Sequence, residues 1–311
     1  MNTIVFASAK GQVGKSTLCR LYAEYYAAEI NLKTLVVESN FFTSGKEYPI
    51  ATEDIKTIDD FILGSIPENI SAAPFINRTE FDSLFIVPTR RISANHVYTP
   101  TDEEAKENIR KLLAVESTSK FITSCIERIH KYAKEEHFDF LLIDTTSDTA
   151  PNLNLTLIDR ILTSSSINGH VMAIAETDLQ VLIETIYFIY KNALRTGVPI
   201  TQQTLITNKT PSDDQIDEVC RIEDNNECFD KQLKEAAEAQ SILKFILGLE
   251  NTPMVLKENR EVLEGLEELY MPYEIRLRSS SPPPQPKSLL EKLEALQPNI
   301  KATADRILEL C

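Results

Sequence analysis

The stretch "AKGQVGKST", residues 9 to 17, stands directly after the apolar run "TIVFA" and directly before "LCRLYAEYY". A strand, a glycine turn and an amphipathic helix therefore follow one another without a break, which is the opening of a parallel-sheet crossover unit. Two lysines, Lys10 and Lys15, lie five positions apart in the turn, with Gly11 and Gly14 between them. Like charges crowded into one turn repel unless something anionic lies between them. Only eight glycines occur in the chain, and two fall here, where close backbone approach is the physical reason to use them.

The rest of the sequence repeats the strand-then-helix order. Strands are predicted over "NTIVFASA", "KTLVVES", "DSLFIVPT", "FDFLLIDTT", "HVMAIAE" and "QQTLITN", with a short one at "TPMVL". Helices are predicted over "KSTLCRLYAEYYAAEIN", "TIDDFILGSI", "DEEAKENIRKLL", "SKFITSCIERIHKYAKEE", "NLTLIDRILTSS", "LQVLIETIYFIYKNALRTG" and "DKQLKEAAEAQSILKFILGL". Strands that are apolar throughout, alternating with helices, predict a doubly wound α/β fold: a mostly parallel sheet with helices on both faces. Residues 1–278 are read as one such domain. The Ser/Pro-rich stretch 279–287 is read as a linker, and 288–311 as a C-terminal helical segment, either packed back or mobile.

Against 47 acidic residues stand 32 basic ones, a net charge of −15. A dedicated DNA-binding domain carries a basic footprint, so any such surface here must be local. "PTRRISANH" and "IRLRSSS", with Arg90, Arg91, Arg276 and Arg278, are the local candidates, and an ordinary solvated face explains them equally well. No run approaches a membrane span and the first residues do not read as a signal peptide, which predicts a cytoplasmic protein without a membrane partner. The five cysteines are scattered without metal-ligand spacing and are read as free thiols. The four histidines are isolated and read as core or surface residues.

"AKGQVGKST" matches the phosphate-loop pattern GxxxxGK[ST], with Ala9 in the place of the first glycine. In such a loop, backbone N–H groups including those of Gly11, Gln12 and Val13 cradle phosphates, and the following helix N-terminus adds partial positive charge. Gly14 allows close approach, Lys15 reaches the β- and γ-phosphates, the Ser16 hydroxyl is placed for Mg²⁺, and Thr17 bonds a further oxygen. A helix start that merely contains Gly, Lys and Ser is the bland alternative. Strand, turn and helix in the required order argue against it.

With Lys10 included, the loop resembles the KGGxGK[ST] phosphate loop of the ParA/MinD family of partition and positioning ATPases. Gln12 departs from that pattern, which nearly always has glycine there. The resemblance covers residues 1 to about 275, and it implies that Lys10 reaches the nucleotide of a partner subunit. It also implies that Asp144, closing "FDFLLID", serves the Mg²⁺ sphere, and that Thr145, Thr146 and Ser147 sense the γ-phosphate. "TLVVESNFF" places Glu38 and Asn40 where the family has two aspartates, the second of which aligns the attacking water. Asn orients water but accepts no proton, so slow or partner-dependent hydrolysis is expected. Asn208 in "TLITNKTP" resembles the purine-binding asparagine. Pro211 stands where a GTPase has its guanine-reading Asp, so ATP is the expected nucleotide. "VLKENREVLEGLEELYMP" resembles the late segment, a short strand and loop over the base leading into a helix.

The resemblance thus implies a weak ATPase, an ATP-dependent homodimeric switch that partitions or positions DNA or a protein cargo. A ParB-like adaptor would stimulate it, and non-specific DNA is a further partner through the local basic patches. Two alternatives stay open: a metabolic P-loop ligase resembling dethiobiotin synthetase, and a module that holds nucleotide with little turnover.

Overall fold

The computed structural model describes residues 1–39, 57–58, 71–88, 116–145, 168–210, 228–239, 241–272 and 298–310. Its strands are β1 (Asn2–Ala7), β2 (Thr34–Glu38), β3 (Asn77–Arg78), β4 (Leu84–Val87), β5 (Phe140–Asp144), β6 (Asn168–Glu176), β7 (Gln203–Thr210) and β8 (Glu267–Pro272). The described helices are α1 (Lys15–Ala28), α2 (Glu116–Glu135), α3 (Leu179–Thr196), α4 (Phe229–Glu238), α5 (Ile242–Gly248), α6 (Met254–Glu258) and α7 (Pro298–Leu310). The strands form one sheet in the order β3-β4-β2-β5-β1-β6-β7-β8. Every neighbouring pair is parallel except the short β3 with β4. The expected doubly wound α/β sheet is the observed one.

Alternation along each strand divides the core between two faces. Ile4, Phe6, Val36, Phe140 and Leu142 join a cluster with α1, α3 and α7, while Val5, Ala7, Leu35, Val37, Leu141 and Ile143 join one with α2. Helix α1 presses Leu18, Leu21, Tyr22 and Tyr26 into the first cluster. Each fully buried Leu or Phe of this kind contributes about 1.5–3 kcal/mol. Tyr26 stacks on Phe140 at 5.1 Å and donates its hydroxyl hydrogen to the Ala304 carbonyl at 3.0 Å. Tyr25 donates to Asp305 Oδ1 at 2.7 Å, and Ile307 is fully buried, so residues 298–310 pack back onto the helix that follows the glycine turn.

Three expectations are corrected by tertiary contacts. The strand expected at 252–256 is helix α6, because Pro253 sets the first turn and only Leu256 of its apolar residues is buried. The late strand instead lies at Glu267–Pro272, pairing with β7, so helix precedes strand in that segment. The long helix expected over 230–249 breaks into α4 and α5, and Glu268 Oε2 accepts the Leu243 N–H at 2.8 Å to start the second piece. Cys228 is disulfide-bonded, contrary to the reading of free thiols, whereas Cys19 and Cys125 are not in disulfides. The helices expected at 102–113 and 154–165, nearly all of that at 57–66, and the linker 279–287 lie outside the described residues.

One core residue sets an acid limit on stability. His170 on β6 is fully buried, with Nε2 2.7 Å from Thr204 Oγ1 and Nδ1 without a partner among the described residues. Burial lowers its pKa from 6.5 to about 4. The unfolded chain therefore takes up a proton below pH 6.5 that the folded chain refuses until about pH 4, and stability is lost as pH falls through that window. His170→Gln should flatten this loss by about 3 kcal/mol between pH 7 and pH 4. Urea unfolding of both proteins at the two pH values measures it, and parallel losses would contradict a neutral buried imidazole. His130, lowered to about 4 by burial, titrates equally in both proteins and cancels.

Candidate nucleotide site

The carboxyl ends of β1, β2, β5 and β6 carry Ser8, Glu38, Asp144 and Glu176 at or just past their last residues, and Asn208 lies two residues before the end of β7. In open parallel sheets this edge is where ligands bind. Register fixes the neighbours: Glu38 pairs with Asp144, Phe6 with Asp144, and Glu176 with Asn208.

Residues 8–14 form the turn between β1 and α1. Gly14 caps the helix with φ 92°, in the left-handed region that glycine adopts without a Cβ penalty. Gln12 also has positive φ, 67°, at the position where the resembled pattern has glycine. A side chain in that conformation is strained by about 1 kcal/mol or more, so the loop holds its shape against local preference. The start of α1 has no side-chain cap and no acidic residue in its first turn. Such a helix end, with its N–H groups and partial positive charge, suits an anion. Ser16 and Thr17 are half-buried there, and the Ser8 hydroxyl is buried with no partner among the described residues.

The two lysines of the loop each meet a carboxylate. Lys15 is buried, and its ammonium donates to Asp144 Oδ1 at 2.7 Å and to the Thr145 carbonyl. Lys10 is half-exposed and lies 3.3 Å from Glu176 Oε1. On the far side Asn208 donates its Nδ2 hydrogen to the Val13 carbonyl at 2.7 Å. Strands β5, β6 and β7 thus each grip the loop through one side chain. Around Asp144 the backbone is locked as well: Ser39 donates its N–H and its hydroxyl to the Asp144 carbonyl, at 2.8 and 3.0 Å. Thr145 donates its hydroxyl to the Phe6 carbonyl at 2.8 Å.

Lys10, Gly11, Gln12, Val13, Gly14, Lys15, Ser16, Thr17, Glu38, Asp144 and Asn208 therefore belong to one edge of the sheet. Asn40, Thr146, Ser147 and Pro211, with Arg90, Arg91, Arg276 and Arg278, lie outside the described residues. Glu176 was not singled out by sequence reasoning. Its only signal was its place as the last residue of an apolar strand, the same place that marks Glu38 and Asp144. The Ser16 hydroxyl and the Glu38 and Asp144 carboxylates are hard oxygen donors of the type Mg²⁺ takes alongside phosphate oxygens and water. Among the described residues no helix is long and apolar enough to cross a membrane.

The sequence matches no family model and no curated protein. Among solved structures the chain is similar to a variant of Cyanothece McdA in complex with ATP, at 13% identity and TM-score 0.57, covering 100% of this chain and 96% of that one. It is similar to a Borrelia burgdorferi B31 protein, provisionally named a plasmid partition protein and bound to AMPPNP, at 16% identity and TM-score 0.56, covering 99% and 97%. The Pyrococcus furiosus cell division ATPase MinD is similar at 17% identity and TM-score 0.51, covering 100% and 99%. At such identities the likeness establishes a shared fold.

Proposed function

We propose that this chain, built on the fold of the ParA/MinD P-loop ATPases, is itself an ATP-dependent dimerising switch that positions a cargo. The buried Lys15–Asp144 pair is the observation that carries this reading. It joins the ammonium of a glycine turn to the carboxylate closing the neighbouring strand, and it places both at a helix start suited to an anion. In the proposed complex the ATP phosphates compete with Asp144 for Lys15, and the freed carboxylate becomes available to Mg²⁺, with Ser16 and Glu38 as the other oxygen donors. The cation, once bound, would neutralise charge that develops on the phosphates during hydrolysis. Asn208, already tied to Val13, holds the loop against β7 and stands beside the proposed adenine. Lys10, the more exposed lysine, reaches the nucleotide of the second subunit. The γ-phosphate then supplies the contacts that differ between monomer and dimer, as any ligand-driven switch requires.

Dimerisation tests the reading. Lys10→Ala should leave ATP affinity nearly intact and weaken the ATP-dependent dimer, measured by light scattering with ATP and Mg²⁺. A mutant that dimerises like wild type would remove Lys10 from the subunit contact. Hydrolysis is proposed to be slow and stimulated by an adaptor. Turnover measured with and without DNA and candidate adaptors separates this switch from a module that merely holds nucleotide. Steeply salt-dependent DNA binding confined to the ATP form would place DNA among the cargo contacts.

A further inference from the structure

The two lysine–carboxylate contacts differ in kind. Lys15 and Asp144 are both buried, at 5% and 2% side-chain exposure and 2.7 Å, and opening that pair without a replacement strands a charge away from water. Lys10 and Glu176 are 53% and 26% exposed and 3.3 Å apart, a contact that water and salt weaken. The backbone is nonetheless fixed at the Glu176 end. Glu176 closes β6, is register-paired with Asn208, and Asn208 grips the same loop at Val13. The Glu176 backbone is thus held by the sheet, while the Lys10 ammonium sits on a longer, flexible stem in the turn. One partner is anchored, and the other is free to leave.

We infer that Glu176 is a placeholder for the second subunit's nucleotide: it holds the Lys10 ammonium in the monomer and yields it to phosphate on dimerisation. The inference rests on the reading of Lys10 given under Proposed function. A polyphosphate carries more charge than one carboxylate and outcompetes it, while the contact is weak enough to keep the exchange rapid. Glu176 therefore opposes dimerisation slightly and keeps Lys10 from neutralising its own subunit's phosphates. It is a positioning residue that acts through Lys10.

E176Q keeps the shape and removes the charge. In nucleotide-free protein, competitive acetylation read by mass spectrometry should show Lys10 reacting about two- to fivefold faster in E176Q, while the exposed Lys131 of α2, paired with Glu135, is unchanged. Sedimentation equilibrium with ATPγS and Mg²⁺ should show an E176Q dimer about two- to fivefold tighter at low salt, converging with wild type at high salt. In a Lys10→Ala background, E176Q should leave the dimer constant unchanged. Unchanged Lys10 reactivity would overturn the contact, and an unchanged dimer constant beside a wild type that dimerises would overturn the placeholder role alone. A wild type that never dimerises with nucleotide would overturn the reading of Lys10 itself and this inference with it.

Discussion

Replacing Lys15 with alanine is expected to cut ATP affinity by about a hundredfold or more, equivalent to about 3 kcal/mol for lost charge-assisted hydrogen bonds to phosphate. Calorimetric titration with ATP and Mg²⁺ reads this directly. The same substitution strips the buried Asp144 carboxylate of its counter-ion, which predicts a loss of about 3–5 kcal/mol in stability without nucleotide. Urea unfolding at neutral pH checks that second effect. The two readouts separate the roles of one side chain. Unchanged affinity with lowered stability would make Lys15 a structural ion-pair partner and not a phosphate ligand.

Asp144→Asn is expected to act on turnover. The amide keeps an acceptor for the Lys15 ammonium, and the Thr145 carbonyl still accepts as well, so stability should fall less than in Lys15→Ala. What disappears is the negative charge that makes the group a hard cation ligand. ATP hydrolysis should fall about 10- to 100-fold, with part of the loss recovered as Mg²⁺ is raised. Phosphate release at saturating ATP across a Mg²⁺ series provides the measurement. A rate and a Mg²⁺ dependence equal to wild type would exclude Asp144 from the cation site and turn attention to Glu38, its register partner on β2.

What was legible in the sequence was local. β1, the glycine turn and α1 were readable because strand, loop and helix adjoin in sequence, and each is specified by its own residues. β2, β5, β6 and β7 were readable because central parallel strands are buried on both faces and are apolar throughout. β8 was misplaced for the opposite reason. It is an edge strand, and "EELYMP" is extended because β7 lies beside it, not because of any alternation of its own. The break between α4 and α5 likewise depends on Glu268, a residue from that same edge strand. In the site, Lys15 and Asp144 stood out through spacing and strand position. Glu176 did not, because a carboxylate that meets its lysine 166 positions away leaves no spacing to recognise. The crowding of Lys10 and Lys15 demanded anions, and the two carboxylates of β5 and β6 hold them apart before any nucleotide is considered.

The position of β1 in the sheet bears on how the chain is made. β1 is synthesised before the other strands of this sheet, yet its two neighbours are β5 and β6, which end at residues 144 and 176. At ordinary translation speeds of 5–20 residues per second, roughly 10 to 30 s pass before both neighbours have been synthesised. Until β5 is made, the most apolar part of β1, Ile4 to Ala7, has neither of its ladder partners. The phosphate turn that depends on β1 is thus completed late although its residues are synthesised early. Translation stalled before β5 should therefore give a nascent chain whose β1 is open to protease, although β1 was synthesised early.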